Sequence, residues 1–390
     1  MITDYVFFGL AIVTLASTVV GVCLFLNGVG RMKVLRNLGF SEDRHFGRLP
    51  FVSVIVAARN EERHIAAAIK SLLEIEYDPW ELLVIDDRST DKTPDILADL
   101  QRLDPRLRVQ RIEELPKGWL GKNHALDVGI RQSKGELVLL TDADIFFQKT
   151  ALKRAVSHMT SEGLDHLAIA PDLNMPGPLL RSFTVMFYIF FFVFTQAWKA
   201  SDPKSRASIG IGAFGLFRRQ ALMDVGGLTR IPLRPDDDLM LGRLIKRHGF
   251  KQSILDGAGM ISVPWYSSTG ELITGLEKNS FAALNYRPEL VLGSIVFQFV
   301  LIVWPFLALL FTHGEAWWLN LLTVALLIGM PSYLGIKLRY GWYSGLYFPV
   351  CTILFGYIQL RAMLLCYWIG GIRWRDTFYP LKALKKNMLP

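Results

Sequence analysis

An α/β domain built on a mostly parallel sheet and carried by transmembrane helices is the fold class this sequence predicts. Three observations predict it. Short β-branched runs alternate with helical apolar spacing between Phe51 and Leu140. Several of those runs stop at a polar cluster, as strands do where a sheet meets its ligand. Long apolar stretches without a charge lie on both sides of this region, and 51% of all residues are hydrophobic.

The chain has 390 residues, room for one large domain or two smaller ones. Between Asp4 and Arg31 no charged residue occurs, a run long enough to cross a bilayer as a helix and longer than the apolar region of a secretory signal. We therefore expect residues 1–36 to be a retained anchor with a basic flank. Arg31, Lys33 and Arg36 follow the span directly, and the positive-inside rule puts what comes next in the cytoplasm. A cytoplasmic domain is expected over residues 37–288. Residues 289–390 should hold the remaining membrane helices and a basic tail, because charge-free runs lie between Glu289 and His313, Glu315 and Lys337, and Arg339 and Arg361. Arg373, Arg375, Lys382, Lys385 and Lys386 also belong inside by this rule, yet four full crossings from an outside N-terminus would leave them outside. The stretch 340–370, interrupted by Pro349 and Arg361, is the candidate for a segment that does not cross.

The net charge of +8 sits at the membrane flanks and forms no stripe for nucleic acid. Anionic lipid headgroups account for it. Cys23, Cys351 and Cys366 all fall in apolar spans, which excludes a disulfide framework and a thiolate metal site.

Within the soluble region, Phe51 to Val56 reads as a strand that leads into Ala57-Ala58-Arg59-Asn60-Glu61, after which Ile65, Ala68, Ile69 and Leu72 mark a helix. Leu82 to Ile85 is a second strand, stopping at Asp86-Asp87. Leu107 to Gln110 suggests a third. A loop rich in Gly and Pro, Leu115 to Lys122, opens a helix over 123–131. Leu137 to Leu140 is then a buried strand that delivers Thr141-Asp142-Ala143-Asp144 to its C-terminal end. Alternate residues of an extended chain share a face, so Asp142 and Asp144 point the same way, an arrangement suited to Mg²⁺ or Mn²⁺ shared with phosphate oxygens. Parallel sheets bind ligands beyond the C-terminal strand ends, which places Arg59 to Glu61, Asp86-Asp87 and Asp142 to Asp144 in one crevice. The Asp86 to Asp91 segment also reads as an Asx-type turn capping the next helix. Lys122, where loop becomes helix, is placed for a diphosphate or is simply solvated. No G-x-G-x-x-G or G-x-x-x-x-G-K-[ST] occurs, against a dinucleotide oxidoreductase or a P-loop NTPase.

The ordered set VSVIVAARNEERHI, LLVIDDRSTDKT and TDAD resembles the catalytic domain of family 2 glycosyltransferases of the GT-A fold, over roughly Phe51 to Lys246. The loop LPKGWLGK is similar to that of the membrane-bound branch acting on lipids, including hopanoid-associated, carotenoid and ceramide glycosyltransferases. The resemblance implies that a nucleotide sugar binds through Ala57, Arg59, Glu61, Asp86, Asp87, Lys122 and Asp142, with Asp142 and Asp144 on the cation. It also aligns Asp237-Asp238 with the family's acidic pair before x-x-Leu. Asp238 is then the expected general base, with Asp237 as its rival and a helix N-terminus rich in acid as the plainer reading. The Q-x-x-R-W signature of processive members is absent around Gly275 to Asn279, which favours transfer of a single sugar.

The apolar run between Arg181 and Lys199 is short for a span and interrupts the domain. A helix near 180–198 lying in the membrane surface and a buried core helix both fit it. Trp265 and Tyr266 could stack on a ligand or pack as interface aromatics. The expectation is a multi-pass protein of a bacterial inner membrane, its catalytic domain cytoplasmic, which moves one sugar with inversion from a UDP-sugar to a membrane lipid hydroxyl. A polyprenyl-phosphate glycosyltransferase and a polysaccharide synthase are the alternatives within enzymes. Outside them stand a transporter and a membrane protein that only binds sugar nucleotides for a partner.

Overall fold

The computed structural model describes residues 2–39 and 48–387. After a long helix α1 (Ile2–Gly30), the chain alternates strand and helix: β1 (Val52–Ala58), α2 (Ile65–Leu73), β2 (Trp80–Asp87), α3 (Thr93–Leu103), β3 (Leu107–Ile112), α4 (Gly121–Gln132), β4 (Leu137–Asp142), β5 (Phe146–Phe147), α5 (Ala151–Ser161), β6 (His166–Ala170) and β7 (Asp172–Asn174). The helix α6 (Gly177–Thr195) follows, and then β8 (Gly215–Arg218), α7 (Arg219–Asp224), α8 (Asp237–Arg247), β9 (Gln252–Asp256) and β10 (Ile261–Pro264). The expected strands and the helix after Lys122 are all present, each running one or two residues beyond its apolar core.

The main sheet has seven strands in the order β3-β2-β1-β4-β8-β6-β9, parallel except where β8 pairs antiparallel with β4 and β6. Helices cover both faces of its centre, so every residue of β2 is buried, as in doubly covered parallel sheets. The register sets Ala57 opposite both Ile85 of β2 and Asp142 of β4, which brings the C-terminal ends of β1, β2 and β4 level. Gly129 lets α4 close on β1, since a Cβ there would lie 2.4 Å from the Ile55 side chain. Under the strand ends Ile55, Leu126, Leu140, Phe217, Leu241 and Ile245 form one core, and burial of Met240, Leu241, Leu244 and Ile245 pins α8 to it.

The chain divides into two compact units, and the sheet with its helices is one. The other combines α1, the segment Asn174–Gln196 and the segment Trp265–Lys385. It adds α9 (Thr269–Ala283), α10 (Pro288–Gln298), a π-helical turn, α11 (Trp304–Ala308), α12 (Gly314–Lys337), α13 (Ser344–Ile369), a hairpin of β11 (Gly371–Trp374) and β12 (Thr377–Pro380), and α14 (Leu381–Lys386). Among the described residues, five helices are long and apolar enough to cross a membrane: residues 4–30, 177–199, 288–308, 314–337 and 344–369. Two of them occupy the stretches 180–198 and 340–370, whose length and continuity leave open whether they cross. The run near 180–198, short by its charge-free length, gains residues at its start, where Gly177 and Pro178 open the helix. The stretch 340–370 is not broken, because Pro349 lies near the start of α13, which continues through Arg361. Trp265 packs on Phe187 and Tyr266, with ring centroids 4.9 Å apart in each case.

Candidate active site

The β4 end and the α8 start meet across α4. Lys122 in the first turn of α4 places its ammonium 2.7 Å from Asp142 Oδ1 and 3.6 Å from Asp237 Oδ1. The loop before β8 completes the group: the Gly212 N–H donates to Asp238 Oδ2 at 2.7 Å. A Cβ on Gly212 would stand 2.9 Å from Asp142 Oδ2, 3.4 Å from Lys122 Nζ and 3.5 Å from Asp238 Oδ2, so this glycine lies amid all three side chains. Lys122, Asp142, Gly212, Asp237 and Asp238 line one cavity. Asp237 is buried and Asp238 is partly exposed.

Close backbone packing holds this loop against α8. A Cβ on Gly210 would meet the Asp238 carbonyl at 1.8 Å, and one on Gly242 the Ile209 carbonyl at 1.8 Å. Buried Gln252 ties the two, accepting from the Ile209 N–H and donating to the Gly242 carbonyl, each at 2.7 Å. On the other flank Asn123 donates to the carbonyls of Ile231 and Arg234 at 2.9 and 3.0 Å, and buried Arg234 forms a two-pronged pair with Asp236. The turn that presents Asp237 and Asp238 is thereby braced from α4, from β9 and from within. Gly242, Gln252 and Asn123 were not singled out from the sequence. Their roles arise only when distant segments touch.

The electrostatics follow from this crowding. Burial and repulsion from Asp142 and Glu61 push the Asp144 carboxyl up to about 7. Burial also raises Asp237 and Asp238, against the pull of Lys122. Burial alone would lower Lys122, but Asp142, Asp237 and Asp238 outweigh it and hold the ammonium charged. His166, stacked on Phe217 at 4.2 Å, lines the same cavity and is pushed down to about 3 by burial, so it is neutral at physiological pH.

A second cluster lies where β1 and β2 end. Asp87 pairs with Arg88 at 2.8 Å and Arg59 at 3.4 Å, and its Oδ2 would be 2.1 Å from a Cβ on Gly121, which puts it against the N-terminus of α4. Asp86 accepts the Ser89 N–H at 3.1 Å and has the Arg111 guanidinium 3.5 Å away. Asn60 accepts from Thr90 N–H, while Asp91 accepts from the N–H groups of Glu62 and Thr93. The turn reading of this segment therefore holds for Asp86 and Asp91. Gly121 and Lys122, adjacent in sequence, join this cluster to the first.

Among the described residues no three His, Cys, Asp or Glu side chains are grouped to hold a metal ion by themselves. The acids at the end of β4 nevertheless fit a divalent cation shared with a phosphate ligand. Asp144 is crowded by two carboxylates, and Mg²⁺-type ions need only one or two protein carboxylates when phosphates supply further oxygens.

This architecture is the GT-A fold. It matches a mannosyltransferase from Pyrobaculum calidifontis, solved in complex with GDP-Man and Mn²⁺, with TM-score 0.57 and 18% identity over 91% of this chain and 99% of that one. Residues 53–226 match the family described as Glycosyl transferase family 2. A beta-monoglucosyldiacylglycerol synthase from Nostoc sp. is 40% identical over 130 residues, 31% of this chain and 27% of that protein. The 4,4'-diaponeurosporenoate glycosyltransferase of Staphylococcus aureus is 20% identical over 64% of this chain and 66% of its own length. The match to the Nostoc protein thus spans about a quarter of that relative.

Proposed function

We propose that this protein is a membrane-bound inverting glycosyltransferase that moves a single sugar from a nucleoside-diphosphate sugar, UDP-linked, to a hydroxyl of a membrane lipid. One observation carries the reading: the Lys122 ammonium, Asp142 and the Asp237-Asp238 pair stand around Gly212 in one cavity at the strand ends. The family 2 match supports sugar transfer, and the similarity to enzymes named for glycosylating a diacylglycerol and a carotenoid acid supports a lipid acceptor. A cytoplasmic catalytic domain agrees with Arg31, Lys33 and Arg36 after the first apolar span.

In this reading Asp86, Asp87, Arg59, Glu61 and the backbone at Ala57 receive the nucleoside. Asp142 and Asp144 would hold Mg²⁺ or Mn²⁺, which supplies Lewis-acid stabilisation of the charge gathering on the leaving diphosphate. Lys122 adds a fixed positive charge to the same group as it departs. Asp238 takes the acceptor hydroxyl's proton. It suits this role better than Asp237, because it is reachable while Asp237 is buried beside Lys122. The Gly212 N–H holds Asp238 Oδ2 and leaves Oδ1 only the adjacent Leu239 N–H, which fixes the carboxylate's direction. Attack opposite the leaving diphosphate inverts the anomeric centre.

The test incubates membranes containing the protein with labelled nucleotide sugars in parallel and identifies the molecule that gains label, using Asp144→Ala as the blank. A single labelled lipid, absent in the blank, is the expected result. Label in a polymer or in no lipid at all would overturn the reading.

A further inference from the structure

We infer that, among the described residues, three helices cross the bilayer, α1, the α10–α11 run and α12, and that α13 lies with α6 and α9 in the leaflet on the side of the main sheet. The partner of this three-helix layer is a lipid monolayer, and the C-terminal tail returns to the sheet's side. The inference concerns topology and does not rest on the proposed reaction.

Chain connection fixes the first part. The segments before and after α6 contribute β4 and β8, which are hydrogen-bonded neighbours in one sheet. A single crossing by α6 would put two paired strands on opposite sides of a membrane, so α6 begins and ends on the same side despite its length. The 15-residue α9, which contains Glu271, Glu277 and Lys278, is too short and too charged to cross. The start of α10 therefore lies on the sheet's side. So does the end of α1, because Val34, four residues beyond it, bridges to Asp256 of β9.

Ring contacts then orient the spans. Near the start of α1, Phe7 meets Trp304 of α11 with centroids 5.8 Å apart, and near its end Phe25 meets Tyr188 of α6 at 6.3 Å. The α10–α11 run thus leaves the sheet's side and reaches the far side, where the start of α1 lies. α12 returns, carrying Lys337 and Arg339 to the near side.

From there α13 does not cross again. Its first half is bedded on α6: Phe348 meets Phe190 at 6.1 Å, Cys351 lies 3.7 Å from the Leu179 carbonyl, and Phe355 meets Phe183 at 6.3 Å. Its second half is bedded on α9, through the Arg361–Glu277 ion pair and Tyr367 against Phe281 at 5.8 Å. Both supports are helices that cannot cross. Beyond α13, Lys278 of α9 sits 4.7 Å over the Trp374 ring, and Lys385 lies 5.8 Å over Tyr367, the ring that meets Phe281 of α9. The tail has come back to α9, the helix just before α10, which requires an even number of crossings between them. What α13 leaves exposed is an apolar stripe at helical spacing, from Leu346 through Ile353 and Leu360 to Trp368. That is the face an in-plane helix turns to acyl chains, with its terminal Trp at the headgroup level. This arrangement also removes the conflict over the basic tail, since every Lys and Arg after residue 336 now lies on one side.

Single cysteines at His313, Lys337 and Lys386, in a chain with Cys23, Cys351 and Cys366 replaced by Ser, would be exposed to a membrane-impermeant maleimide in intact spheroplasts. We expect His313→Cys to react before permeabilisation, and Lys337→Cys and Lys386→Cys only after it. Alkaline phosphatase and green fluorescent protein fused after Lys386 of the unaltered chain cover the case in which the Ser replacements misfold. The phosphatase fusion should be inactive and the fluorescent fusion bright. Active phosphatase there, or equal labelling of His313→Cys and Lys386→Cys in intact spheroplasts, would overturn the inference.

Discussion

Asp238 and Asp144 are both carboxylates short of positive charge, and they carry opposite predictions. Asp238 must be ionised to take a proton. Burial raises its pKa and Lys122 pulls it down, so the acid limb of kcat/KM should lie above the ordinary carboxylate range. Lys122→Met should move that limb to higher pH as well as slowing transfer, a shift that pH profiles of the two proteins would reveal. Asp238→Asn should cost about 10²–10⁴ in kcat with donor affinity kept, as loss of a general base does. Full activity in this variant would point to a phosphate acceptor, which needs no base. Asp144, pushed up to about 7, weighs on stability. The folded state holds its proton up to about pH 7, while the unfolded carboxyl loses it near the ordinary value, so stability falls between those two pH values and the full penalty stands above pH 7. Asp144→Asn should therefore raise the melting temperature at pH 7.5, less so at pH 5, while abolishing transfer. Differential scanning fluorimetry at the two pH values checks the sign.

Among the elements, the loop before β8 separates function from folding most cleanly. At Gly212 an added methyl meets only side-chain ends, Asp142 Oδ2, Lys122 Nζ and Asp238 Oδ2, all of which can shift. Gly212→Ala should fold with a normal melting temperature and lose most of its activity, because the methyl occupies the space where the reacting groups meet. At Gly210 the added atom meets the Asp238 backbone at 1.8 Å, which cannot move without unseating α8. Overpacking of that kind costs about 1–3 kcal/mol or more, and Gly210→Ala should express poorly and melt early. The run of small residues here shows in the sequence, but which glycine faces side chains and which faces backbone depends on the register of the loop against α8. The strand-end acids were legible because each follows an apolar run that can only be a buried strand. Gln252 and Asn123 were not, since a polar residue that satisfies backbone groups of a distant segment leaves no local pattern. Nor were β6, β8 and β9 visible. They are only four or five residues long, and period-two alternation over so few residues is too brief to read.

For the whole molecule, the sequence disclosed the apolar spans and offered in-plane readings for 180–198 and 340–370, but could not decide them, because length and hydropathy are the same for a crossing helix and for one bedded on its neighbours. α6 and α13 make the point: both pass as spans by composition, and only the pairing of β4 with β8 and the return of Trp374 and Lys385 to α9 and the end of α13 tell them apart from α1 and α12. The same scale governs how many sugars are added. A processive enzyme must hold its lengthening product while a new donor enters, and the segment where processive relatives carry Q-x-x-R-W is here part of α9. Its Leu272, Leu276 and Phe281 are buried, and its Glu277 is committed to Arg361 of α13. Side chains engaged in packing one helix on another cannot also grip a sugar chain. With donor in large excess, the label should plateau at one sugar per lipid, and mass spectrometry of the extracted product should show a single hexose increment that does not grow with time. A ladder of increments would mean that the product is held elsewhere on the chain, and that the missing signature is no guide to processivity in this protein.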